Sequence, residues 1–138
     1  MIRTSFRQRN RRAATLLVAL MAWIGHAMAD PTALTQLRNE PKFRATAWYT
    51  GPDTPEDGPV LILLVNRTID DILALPSPYD AGRLRNRLKR LIGDVDPFAT
   101  EDRDQMYRYV VRIWRAAGFA DESKLFQVSD ERVLREMR

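Results

Sequence analysis

The chain has 138 residues, 22 Lys and Arg against 18 Asp and Glu, one histidine and no cysteine, for a formal charge of +4. The absence of cysteine excludes disulfides, thiolate metal sites and cysteine nucleophiles. The basic balance suggests nucleic-acid binding, but its distribution along the chain argues otherwise.

Residues 1–29 read as a secretory signal. Arg3, Arg7, Arg9, Arg11 and Arg12 make a basic start with no acidic residue before Asp30. An apolar run from Ala13 to Gly25 follows, and then Ala27-Met28-Ala29, the small-x-small pattern cut by signal peptidases. The run is shorter than the ~20 residues of a membrane-spanning helix. Arg11-Arg12 hints at twin-arginine export, although Ala13, Ala14 and Thr15 match that pattern weakly. A lipoprotein signal needs a cysteine at the cleavage site.

Cleavage after Ala29 is expected to leave residues 30–138 as one mature domain with its core at about 57–128, periplasmic or secreted and without a transmembrane anchor. Five of the basic residues leave with the signal, so 17 bases face 18 acids, and the only histidine, His26, leaves too. Nucleic-acid binding, imidazole metal sites and histidine-based triads therefore lose their support, and no cofactor is expected. A domain of this length holds one core.

The expected elements run as follows. Asp30-Pro31 opens a short helix carrying Ala33, Leu34 and Leu37, and Pro41 closes it. Phe43 to Tyr49 alternates briefly and reads either as a short strand or as an aromatic-bearing connector. Gly51 to Pro59 reads as a loop. Val60 to Leu75 is apolar beyond a strand's usual length, which predicts a helix over 59–75; a strand at 60–65 followed by a short helix is the alternative. Asp80 to Asp94 is amphipathic, with Leu84, Leu88, Leu91 and Ile92 on one face. Thr100 is the expected N-cap of a helix running to about Ala117, stopped by Gly118. Its apolar residues cover an arc of about 200°, which marks it as central. A capped segment near Asp121 and a short helix from Ser129 complete a mainly α bundle of about four helices, with minor or no β structure.

Three groups are candidate sites. Arg83, Arg85, Arg87, Lys89 and Arg90 give the third helix a basic face, either a solvated exterior or a receptor for phosphate, anionic headgroups or an acidic partner. Arg85, Lys89 and Arg90 are the cations singled out there for binding. The second group is Thr100-Glu101-Asp102-Arg103-Asp104. Capping and dipole compensation explain much of it, but Asp102 and Arg103 project inside the apolar arc, where charges must pair or reach the rim. Arg103 is expected to form an ion pair or bond backbone carbonyls, with a ligand-binding arginine as the alternative. The third group is Trp48, Tyr49, Tyr107, Tyr109 and Trp114, either core or the lining of a peptide or sugar groove.

At Ala99-Thr100-Glu101-Asp102-Arg103-Asp104, followed by Tyr109, Gly118 and Ser123-Lys124-Leu125, the chain resembles the bacterial domain of unknown function 4844 family over about residues 60–126. It departs from that pattern after Leu125, at Phe126-Gln127-Val128. The resemblance implies a compact helical domain, and it implies no activity and no catalytic residue. The function class expected is a non-catalytic exported module that binds a ligand or an extracytoplasmic protein. The alternatives are a small hydrolase using paired carboxylates and a peripheral binder of anionic surfaces.

Overall fold

The computed structural model describes residues 31–122 and Leu125. The expected signal, Asp30, Phe126 and the expected helix from Ser129 lie outside the described residues. Within them the chain forms α1 (Pro31–Asn39), α2 (Asp57–Leu73), α3 (Ala81–Asp94) and α4 (Thr100–Ala116). α2 and α4 pack against each other, and α1 and α3 each pack against both. The result is a four-helix arrangement with no strand among the described residues, and α4 shares its centre with α2.

α2 buries Gly58, Leu61, Val65, Thr68, Ile69 and Ile72 on one stripe, the helical pattern that favoured one element over a strand. It begins two residues before the expected start. Pro59 falls in its first turn, where a helix needs no backbone donor. α3 follows the expected span, with the Asp80 carboxylate accepting from the Arg83 backbone N–H at 2.8 Å as a true N-cap.

At α4 the capping differs from expectation. Thr100 is the first helical residue rather than the cap, and Ala99 takes the cap position without a side-chain bond. The Thr100 hydroxyl instead accepts from Arg103 Nη2 at 3.1 Å. The other end is as expected. Gly118 at φ 96° leaves the helix left-handed, Gly118 N–H bonds Arg115 O at 2.9 Å and Phe119 N–H bonds Trp114 O at 3.2 Å. That is the paired pattern of a glycine-terminated helix, and the accompanying apolar contact is the stack of Phe119 on Trp114, centroids 4.4 Å apart. Trp114 Nε1 donates to Asp121 O at 3.1 Å, and fully buried Trp114 anchors the end of the core.

Residues 43–49 form a connector, the second of the two expected readings. Phe43 and Tyr49 are buried while Ala45 and Ala47 are exposed, so no face alternates. Thr46 closes a turn instead: its N–H bonds Tyr49 O at 2.6 Å, and its hydroxyl accepts from Tyr49 N–H at 3.2 Å.

Candidate functional site

Two places concentrate polar groups, and they differ in kind. The first surrounds Asp102, in the first turn of α4. The side chain is fully buried. Tyr49 Oη donates to Oδ1 at 2.6 Å and the Asp53 backbone N–H donates to Oδ2 at 3.1 Å. Both donors come from the connector between α1 and α2. The positive end of the α4 dipole favours the charge there, and the two donors offset the cost of removing a carboxylate from water.

The same connector is held along the rest of α4. Phe43, at φ 53°, donates its N–H to Tyr109 Oη at 3.2 Å. Its ring lies 5.0 Å from Tyr109 and 6.3 Å from Tyr49, centroid to centroid. Glu40 forms a two-pronged pair with Arg112, Nη2 to Oε2 being 2.7 Å, which holds the guanidinium's pKa up. Lys42 folds back, and its Nζ donates to the Arg38 and Glu40 carbonyls at 2.6 and 3.0 Å. Burial pulls its pKa down.

Closed to solvent, with both oxygens engaged, Asp102 acts as a clasp for the connector. Arg103 is half-buried and reaches Thr100, with no carboxylate or carbonyl partner among the described residues. The expected aromatic group divides: Tyr49, Tyr109 and Trp114 are core, Tyr107 is half-buried, and Trp48 is 73 % exposed with Arg108 5.9 Å from its ring centre.

The clasp has a pH signature. Burial, and then the bond to Asp102, raise the Tyr49 pKa, and burial raises that of Tyr79. Unfolded tyrosines ionise near pH 10, so above that pH the unfolded chain binds fewer protons than the fold and stability falls as pH rises. The urea midpoint is expected to drop between about pH 9 and 11, and Tyr49→Phe should make the drop shallower. An unchanged slope in that variant means Tyr49 does not carry the effect.

The second place lies between α2 and α3. Arg83, Arg87 and Arg90, at i, i+4 and i+7, share one side of α3. With Asp71, Leu75 and Asn86 they line a cavity of about 420 Å³. Arg87 and Arg90 also line an adjoining cavity of about 160 Å³ with Leu64, Arg67, Thr68, Leu91 and Asp94. Arg87 pairs with Asp71, yet its Nε is shielded from solvent with no acceptor among the described residues. Arg67, Arg83 and Arg90 have no carboxylate partner among the described residues, whereas Arg38 pairs with Asp70, Arg112 with Glu40 and Arg115 with Glu122.

The basic face expected from the sequence thus splits. Arg90 joins the groove. Lys89 is exposed elsewhere on the helix, and half-buried Arg85 has contacts of its own and lines neither cavity. Arg67 was not among the expected residues; its signal was a lone cation interrupting the apolar run of α2. Among the described residues no group of three or more metal-ligating side chains gathers, and no helix is long and apolar enough to cross a membrane.

No protein-family model, curated protein or solved structure matches the chain. The resemblance accordingly rests on Ala99–Asp104, Tyr109, Gly118 and Ser123-Lys124-Leu125 alone.

Proposed function

We propose that the domain is a non-catalytic binding module that receives an anionic group in the groove between α2 and α3. The observation that carries this reading is the gathering of Arg67 and Arg90 on the smaller cavity and of Arg83 and Arg90 on the larger one beside it, without carboxylate partners among the described residues. Like charges gathered this way repel one another, and a bound carboxylate or phosphate relieves that repulsion through charge-assisted, two-pronged bonds. The Nε of Arg87 offers a further donor that wants an acceptor. The larger cavity is the size of a small-ligand site and the smaller one suits a single anionic group. Residues 30–138 contain no thiol or imidazole and Asp102 is fully engaged, which favours binding over carboxylate hydrolysis. The signal-like start, Met1 to Ala29, supports action outside the cytoplasm.

The test is titration of the purified chain with inorganic pyrophosphate at low salt, followed by NMR of arginine Nε–H and backbone signals. Shifts are expected at Arg67, Arg87 and Arg90, weakening as salt screens the charges. The double variant Arg67→Glu/Arg90→Glu alters two exposed positions, so the fold persists, and its affinity should fall at least about tenfold, the equivalent of 1.4 kcal/mol. Equal response in the double variant, or shifts spread evenly over Arg38, Arg108 and Arg112, would defeat the reading.

A further inference from the structure

The groove does not end in polar surface. Val60, Leu63 and Arg67 stand at i, i+3 and i+7 on the outward side of α2, and Val60 and Leu63 are 46 % and 54 % exposed. Leu64, beside them, lines the smaller cavity together with Arg67 and Arg90. Single exposed aliphatic residues are ordinary on a protein surface. Here two of them, one turn apart, precede Arg67 on the same face of α2, and Arg67 shares the smaller cavity with Arg90; neither guanidinium has a carboxylate partner among the described residues. Val60 to Arg67 covers about 10 Å of helix, or two turns.

We propose, resting on the anion-binding reading above, that the groove's ligand is an amphipathic, acidic segment of another protein. Its apolar side lies on Val60 and Leu63, and its carboxylates reach Arg67 and Arg90. The segment needs two aliphatic residues a turn apart, followed within two turns by acidic residues, the spacing of helix-on-groove recognition. The charge pattern selects a peptide over an anionic membrane. Asp71 borders the larger cavity and Asp94 the smaller. Asp71 is neutralised by Arg87, but Asp94 has no cationic partner among the described residues; a continuous sheet of headgroups meets it with repulsion, whereas a peptide sets its few acids beside it.

The experiment uses a fluorescent synthetic helical peptide with two leucines one turn apart followed by three glutamates. It is compared by anisotropy with a scrambled peptide of the same composition and with phosphatidylglycerol vesicles. The patterned peptide is expected to bind about tenfold more tightly than the scrambled one. Val60→Ser/Leu63→Ser, at exposed positions, should weaken it about tenfold and leave the pyrophosphate response intact. Arg67→Glu/Arg90→Glu should weaken both at least about tenfold. Equal binding of the two peptides, or indifference to Val60→Ser/Leu63→Ser, overturns the peptide proposal while anion binding stands. Vesicle retention tighter than peptide binding and lost in Val60→Ser/Leu63→Ser assigns the face to membranes and overturns it as well. Failure of pyrophosphate to bind removes the reading beneath it.

Discussion

Replacing Asp102 with alanine lowers the unfolding free energy by about 3 kcal/mol. The substitution leaves Tyr49 Oη and the Asp53 N–H buried or half-buried without their acceptor. Each bond to an ionised acceptor is worth about 1.5–3 kcal/mol, and relief of the buried charge returns part of the sum. For a domain of this size the melting temperature falls by roughly 15 °C. Asp102→Asn is milder, because one amide oxygen still accepts while the NH₂ faces a donor. A double-mutant cycle with Tyr49→Phe separates the tyrosine bond from the rest and should show coupling of about 1–2 kcal/mol. If Asp102→Ala costs less than about 1 kcal/mol in urea denaturation, the clasp does not hold the connector in the way the distances indicate.

Trp114→Ala is expected to cost more, about 4 kcal/mol. The indole is fully buried, stacks on Phe119 and donates to Asp121 O. Its removal opens a cavity where the chain beyond α4 is tied back to the helix. Trp114→Phe keeps an aromatic surface for Phe119 and loses the N–H bond and some volume, so about 1–2 kcal/mol is expected. Circular dichroism during thermal unfolding measures both variants. Equal losses in the two would place the energy in the hydrogen bond rather than in packing.

The helices were legible because their signals are local. The stripe of Leu84, Leu88 and Leu91, the cap at Asp80 and the stop at Gly118 each act within a turn or two of themselves. The burial of Asp102 was also visible, as a charge set among apolar positions of α4. Its partners were not: Tyr49 and Asp53 lie 53 and 49 residues away, and no local periodicity encodes a loop folding back onto a helix. The cap at Thr100 misled for a related reason, since its hydroxyl is taken by Arg103 across one turn. On α3, sequence spacing already put cations on both sides of the leucine stripe. Which side met a neighbour depended on where α2 packs, and that distinguished Arg90 from Lys89 and brought in Arg67.

Asp70 and Asp71 are adjacent in sequence, yet they pair with opposite neighbours, Asp70 with Arg38 of α1 and Asp71 with Arg87 of α3. Successive residues on a helix point about 100° apart, so the two ion pairs fix the rotation of α2 about its own axis as two guy ropes fix a mast. Arg67, one turn earlier, lies at an angle between them and is thereby aimed outward at the mouth of the groove. An inserted or deleted residue in α2 between Leu61 and Asp70 turns one part of the helix against the other by that angle. Burial of the apolar stripe and alignment of the two pairs can then no longer be satisfied together. The composition of the groove is thus set by a rotational lock built from surface charges, each pair modest in energy on its own.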